Sequence, residues 1–245
     1  MSRPFRLYVK VFAAIVGVAD GGCLMAQQGM PAPRFSSDAH VNASAARTSG
    51  RDSVRLLNER HFNHTAWGSS HSRRDYVLAT VIANSEQLAY DDDVLYAAAY
   101  LHDIAMFAPW AKDGVDHQDR GAELMDSVLT GVGFPVDKIA KVKAVIRTHM
   151  PDRAPGTVVE SRLLHDADAL DWLGAVGIAR VMSLVDAQGG DPNFASAIGQ
   201  LREFAHQIPA ALSTRAAQRE GVRRAAETAA FLRNLQRQTK DFCDL

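Results

Sequence analysis

Cysteine is nearly absent from this chain, with Cys23 and Cys243 standing at opposite ends of 245 residues. A zinc ribbon or a thioredoxin-type redox centre needs clustered cysteines, so neither is built here. Any metal must then be held by histidine and carboxylate, which favours a catalytic site over a closed structural zinc. An excess of charge of either sign is also missing. With 27 Lys and Arg against 28 Asp and Glu, there is no electrostatic footprint for duplex nucleic acid. A bilayer-spanning run is absent too. The apolar stretch Val11–Ala19 reaches only about 13 Å at about 1.5 Å per residue, against a hydrocarbon core of about 30 Å. Extending it past Asp20 costs about 2.5–3.5 kcal/mol. No segment sustains the period-two alternation of a half-buried strand, and no internal repeat is found.

What is present begins with Arg3, Arg6 and Lys10 ahead of that apolar stretch, a pattern that predicts a secretory signal peptide over residues 1–26, cleaved after Ala26. The sequence Gly21-Gly22-Cys23 offers a lipid anchor as an alternative, which Asp20 fits poorly; a cytoplasmic chain with an N-terminal extension is the other. Residues 27–51 are rich in Pro, Ser, Ala, Gly and Asn without apolar periodicity, and read as a flexible tether.

From Asp52 onward the apolar spacing is helical. It predicts helices over Asp52–Phe62, from His71 to Leu88, and from the acidic cluster Asp91-Asp92-Asp93 to His102-Asp103, where negative charge suits the positive end of a helix dipole. Gly68-Ser69-Ser70 supplies a break and candidate N-caps. Residues 107–116, with Pro109, Trp110 and Gly114, read as a loop. Helices follow over His117–Leu129, Val136–His149, Ser161–Leu173 and Val176–Asp186. The last runs from Phe194 to the end, with breaks at Gly189–Pro192 and near Pro209. The expected fold is all-α: one compact helical bundle with a C-terminal helical extension over residues 191–245. The C-terminal helices pack over the bundle or form a homodimer contact, with Arg215, Arg219, Arg223 and Arg224 on a solvated face.

Chemistry-bearing side chains recur at the ends of these helices. His71 opens one; His102 and Asp103 close the next; His117 begins another; His149 ends another; Asp168 lies within the helix after that. A helical bundle can converge such positions on one internal site. His-Asp pairs alone are weak signals, since His165-Asp166 is a second one.

The order His, then His-Asp, then a late Asp resembles the HD superfamily of metal-dependent phosphohydrolases. Ser70-His71-Ser72-Arg73-Arg74 is similar to the first-histidine helix of that family, with its basic residue three positions on. Ala99-Tyr100-Leu101-His102-Asp103-Ile104 is similar to the middle motif. Leu164-His165-Asp166-Ala167-Asp168-Ala169-Leu170-Asp171, followed by Gly174 and Gly177-Ile178-Ala179-Arg180, is similar to the last motif of a subgroup of small single-domain bacterial members. The sequence departs from many relatives at Trp67, where they carry a further histidine. The resemblance implies an HD domain over residues 52–190, with His71, His102, Asp103 and Asp168 as metal ligands. Asp166 and Asp171 would be supporting hydrogen-bond partners, and His165 would lie behind the ligands. His117 and His149 would hold a second ion or contact phosphate. His117 is the candidate general acid, Asp103 the group that accepts a proton from water, and Arg74 and Lys112 the candidate phosphate-binding cations.

The implied cofactor is a divalent ion, Mn²⁺, Fe²⁺, Co²⁺, Zn²⁺ or Mg²⁺. The implied substrate is a small phosphorylated molecule, a phosphomonoester or a nucleotide, with the 107–116 loop as lid. Two other readings stay open: a di-iron oxygenase using His71, His102, Asp103, His117, His149 and Asp168, and a catalytically silent nucleotide sensor.

Overall fold

The structure, a computed structural model, describes residues 41–185 and 193–243. The segment read as a signal peptide, most of the expected tether, and the Gly189–Pro192 break lie outside those residues. Within them the chain folds into α1 (Val41–His61), α2 (Ser69–Ser85), α3 (Asp92–Leu101), α4 (His117–Gly131), α5 (Val136–Ile146), α6 (Val159–Asp171), α7 (Gly174–Met182), α8 (Phe194–Ala211) and α9 (Arg215–Gln238). There is no strand among the described residues. No helix among them is long and apolar enough to cross a membrane.

The centre of the fold is α3. Its N-cap Asp91 accepts hydrogen bonds from the Asp93 and Val94 amides, so the acidic cluster starts this helix as expected. Val94, Leu95, Ala97, Ala98, Ala99 and Leu101 have no exposed surface. A helix that is apolar nearly all round belongs in a core. The alanines let α1, α2 and α5 pack closely on it. Each larger side chain buried there, such as Leu95 or Leu101, contributes about 1.5–3 kcal/mol.

Around α3 the chain winds α2 against α6 and α4 against α5. The capping of α2 differs from expectation. Gly68 is the N-cap and has no side chain to offer, while the Ser69 hydroxyl donates backwards to the Asn58 and Phe62 carbonyls. Glycine is demanded here because a Cβ would lie 2.3 Å from the His64 carbonyl oxygen. The buried face of α2 carries His71, Ser72 and Asp75 before turning apolar at Ala79 and Ile82. A polar face aimed inward marks a site.

Two boundaries are corrected. The first helix begins at Val41, inside the expected tether. The fifth ends at Ile146, leaving His149 just past the turn that follows it. The break expected near Pro209 is present: α8 runs through Pro209 to Ala211, because a proline in the last turn forfeits little of the remaining ladder, and α9 starts at Arg215.

At the C-terminal end, α7, α8 and α9 pack together, and α9 reaches α6 and α2. Asp166 ties this layer to the bundle. Its carboxylate accepts from the Ser213 amide and hydroxyl at 2.7 and 3.0 Å, and from the Thr214 amide and hydroxyl at 2.8 and 2.7 Å. Arg215, Arg219 and Arg223 are exposed as expected. Arg224 is not: its guanidinium donates to the Leu170 carbonyl, because α9 lies directly over the end of α6.

Candidate metal centre

The first turn of α2, the end of α3, the start of α4, the turn after α5 and the middle of α6 meet at one buried point. His71, His102, Asp103, His149 and Asp168 are each at most 7% exposed there. His102 is the C-cap of α3, and Asp103 follows it before a 3-10 turn, Ile104–Met106, that carries the backbone away. His117 is the first residue of α4, held by the N-cap Asp116, whose side chain accepts from the Gln118 and Asp119 amides.

Hydrogen bonds fix the histidine tautomers. A carbonyl oxygen can only accept, so Nδ1–H of His102 donates to Ala99 at 2.9 Å and Nδ1–H of His149 donates to Ile146 at 2.7 Å. Nδ1–H of His71 donates to the Asp171 carboxylate at 2.8 Å. Each ring therefore turns Nε2 inward. The His71 and His102 Nε2 atoms lie 3.2 Å apart, and Asp168 Oδ1 is 3.4 Å from His71 Nε2. Asp103 Oδ2 is 3.2 Å from His102 Nε2 and 3.7 Å from His71 Nε2. Its other oxygen, Oδ1, is 3.8 Å from Nε2 of both His117 and His149. Asp103 thus stands between two histidine pairs, one oxygen toward each.

The electrostatics follow. Burial alone would lower the His102 imidazole, but Asp103, then Asp75 and Asp168, raise it to about 10. Burial and Arg180 oppose protonation of His71, and Asp75, Asp168 and Asp171 outweigh them, so its pKa also rises. Burial would raise the Asp103 and Asp168 carboxyls, yet the surrounding histidines pull both below their ordinary value. His149 goes the other way: burial, with His102 and His117 beside it, lowers it to about 3. It is a neutral imidazole whose buried Nε2 has no hydrogen-bond partner.

These facts test the fit of a divalent cation. Adjacent donors around an ion with bonds of about 2.1 Å lie about 3.0–3.5 Å apart. The 3.2–3.4 Å separations of His71 from His102 and Asp168, and of His102 from Asp103, match, and that of Asp103 from His71, at 3.7 Å, lies just beyond. Two inward lone pairs 3.2 Å apart need positive charge between them, either a proton or a metal ion. The donor set fits.

Behind the donors, Asp171 accepts from His71 Nδ1, from Nε and Nη2 of Arg74 at 2.8 Å each, and from Nη1 of Arg180 at 2.9 Å. A carboxylate behind a histidine ligand orients the ring and raises its basicity. His165 is buried beside Asp166, with Nδ1 3.3 Å from its Oδ1. In front lies a cavity of about 20 Å³ lined by Trp67, His71, Asp103, Met106, His117, Met150, Asp168, Trp172 and Arg180. That is room for a single water-sized group.

Six of the eight residues singled out from sequence converge here: His71, His102, Asp103, His117, His149 and Asp168. Arg74 does not face the cavity. It is committed to Asp171 through two hydrogen bonds, because the residue three positions after His71 on α2 points toward the end of α6. Lys112 is exposed on the loop and does not line the cavity. Two residues were missed. Asp75 is fully buried, 3.1 Å from His71 Nε2 and 3.7 Å from His102 Nε2. Its i,i+4 spacing from His71 was the available signal. Arg180, 3% exposed, stacks on Trp172 at 3.6 Å and places a buried guanidinium on the cavity wall. Trp67 also lines the cavity, stacked on His64 with ring centroids 3.4 Å apart.

Residues 68–173 match the family model described as HD domain. No curated protein matches the chain in sequence. Among solved structures, a predicted HD superfamily hydrolase from an uncultured Thermotogales bacterium is similar at 27% identity and TM-score 0.51, covering 81% of this chain and 92% of its own. YpgQ of Bacillus subtilis, solved in complex with ADP, is similar at 22% identity and TM-score 0.58, covering 77% and 97%. An HD-superfamily hydrolase from Bacillus thuringiensis is similar at 21% identity and TM-score 0.59, covering 80% and 98%. The family match spans all six convergent residues, the neighbours share the all-α bundle, and residues 68–173 of the chain carry an HD domain.

Proposed function

We propose that this protein is a metal-dependent hydrolase of phosphate esters, acting on a phosphomonoester or a nucleotide. The observation that carries the reading is the position of Asp103, one oxygen toward His71 and His102 and the other toward His117 and His149, on the wall of a cavity shared with the Arg180 cation. Anion recognition beside a cluster of nitrogen and oxygen donors suits a phosphoryl group.

His71, His102, Asp103 and Asp168 would hold a divalent ion, and His117 and His149, with Asp103, a second one. A bound ion supplies Lewis acidity, making a nucleophile of water near neutral pH and polarising a phosphoryl oxygen. The remaining work falls to the chain. Asp103 is placed to take the proton of an attacking water on a carboxylate oxygen. Where it does not hold that second ion, His117, with a side chain 21% exposed, is placed instead to protonate the leaving oxygen at Nε2. Arg180 takes the phosphate-binding role expected of Arg74, with Lys112 on the candidate lid loop 107–116 meeting the distal part of the substrate. That YpgQ was solved with ADP supports a nucleotide as the class to try first.

The convergence of all six donors also suits a di-iron oxygenase, so the test must separate the two. The full chain is purified, its metals are measured by elemental analysis, and p-nitrophenyl phosphate and a nucleotide panel are screened with Mn²⁺, Co²⁺ and Mg²⁺. Phosphate release that disappears in His102→Ala and Asp103→Ala is the expected result. Bound iron with oxygen uptake and no phosphate release would replace the reading with the oxygenase. Nucleotide binding without turnover would replace it with a sensor.

A further inference from the structure

Asp75 has no part in the set of ligands that the resemblance implies, yet it is the most unusual carboxylate in the protein. It has no exposed surface, and neither of its oxygens receives a hydrogen bond. A buried carboxylate without a donor is strongly disfavoured as the bare anion, so either a proton or a cation must reach it. No Lys or Arg among the described residues donates a hydrogen bond to it, and Arg74, which acts on it through space, is committed to Asp171. The groups that act on it most strongly are His71 and His102 on one side and the like-charged Asp171 and Asp168 on the other. Asp171 is already committed to Arg74 and Arg180.

The geometry restricts what the charge can be. Asp75 Oδ2 lies 3.1 Å from His71 Nε2, the separation of adjacent ligands of one ion, and 3.7 Å from His102 Nε2, between the adjacent and the opposite separations. One oxygen of Asp75, one nitrogen each of His71 and His102, and one oxygen of Asp168 all lie within 4.8 Å of one another. Opposite donors of an octahedron with bonds of about 2.1 Å are about 4.2 Å apart, so small side-chain shifts bring the four around one centre. Local structure explains the placement. His71 and Asp75 are four residues apart on α2, stacked on the same inward face.

We propose that Asp75 is a further ligand of the metal ion held by His71, His102, Asp103 and Asp168, giving this site a third carboxylate. The proposal rests on the metal-centre reading above and adds to it. Its chemical consequence is a harder, more anionic donor set. Three carboxylates and two imidazoles suit an oxygen-preferring divalent ion of the Mn²⁺ type better than two and two would.

The test is Mn²⁺ binding to the full-length metal-free protein, followed by calorimetry and by the electron paramagnetic resonance signal of free Mn²⁺, in wild type, Asp75→Asn, Asp75→Val and His102→Ala. Thermal melts with and without Mn²⁺ accompany it. A ligand role predicts Mn²⁺ affinity about tenfold or more weaker in both Asp75 variants, by analogy with the losses seen when metal-site partners are removed. It also predicts that the metal-free variants melt no lower than wild type, since an unsatisfied buried carboxylate is gone, while their stabilisation by Mn²⁺ shrinks. Unchanged affinity and unchanged Mn²⁺ stabilisation in Asp75→Asn, with binding abolished in His102→Ala, would overturn the Asp75 assignment and leave the metal centre standing. Failure of wild type to bind any divalent ion would overturn both. If Asp75→Val fails to fold, the isosteric Asp75→Asn decides alone.

Discussion

Replacing Asp171 by asparagine changes one atom and separates two effects. The Asp171 carboxylate receives four hydrogen bonds, from His71, twice from Arg74, and from Arg180. Asparagine removes the charge and leaves the Arg180 guanidinium, 3% exposed, without its counterion. Stranding one member of a buried ion pair costs about 3–5 kcal/mol. Arg74, with a third of its side chain exposed, adds at most about 1 kcal/mol after solvent screening. At about 2–4 °C per kcal/mol for a domain of this size, the metal-free Tm should fall by about 6–24 °C. The second effect is on the metal. The asparagine amide can donate to His71 Nδ1, which moves the ring proton to Nε2, the atom that must ligate. Loss of such a partner weakens metal binding about 10–100-fold, or about 1.4–2.8 kcal/mol. Circular dichroism melts of the metal-free protein and calorimetric titration with Mn²⁺ read the two effects separately. A Tm within about 2 °C of wild type would refute the buried-pair reasoning, since that is less than 1 kcal/mol. An unchanged Kd would refute the tautomer reasoning.

Asp166→Ala should act on stability alone. It strands the Ser213 and Thr214 donors, and at about 1–3 kcal/mol for each buried donor left unpaired, a loss of about 3 kcal/mol or more is expected. The urea midpoint should fall while Mn²⁺ affinity in the folded variant holds; an unchanged midpoint would mean that this contact does not secure the C-terminal layer. Metal uptake should release protons. His102 is raised to about 10 and the Asp75 carboxyl is pushed up by burial, so both carry protons in the metal-free protein near pH 7, and an ion must displace them. Apparent affinity should therefore climb as pH rises from about 6 to about 9, roughly tenfold per unit for each proton released. Calorimetry in buffers of different ionisation enthalpy counts those protons, and a pH-independent affinity would contradict the raised values.

Much of the architecture was legible in order along the chain. The apolar spacing located each helix of the bundle, and the acidic cluster at Asp91 opens α3 as its position suggested. Boundaries moved where local chemistry was ambiguous. Ser69 looked like a cap but turns its hydroxyl back to α1, and the break signalled by Pro209 falls two residues after it, beyond Ala211. Arg74 shows the limit more sharply. A basic residue three positions after His71 reads as a phosphate contact, but whether it faces the cavity or Asp171 depends on where α6 crosses α2.

The sequence alone determined that the fold is helical, that a metal here must rest on histidine and carboxylate, and that His71, His102, Asp103 and Asp168 belong to one pattern. The first two follow from periodicity and from the scarcity of cysteine, which are local properties, and the third from the resemblance of the three motifs to the HD superfamily. The tertiary structure decided the rest. It set Asp103 between two histidine pairs, turned Nδ1 of three rings toward carbonyl or carboxylate partners, committed Asp171 to two arginines, and buried Asp75 without a donor. These are relations between helices distant in sequence. Burial and hydrogen-bond satisfaction, which settle what a carboxylate can do, exist only once the helices have packed.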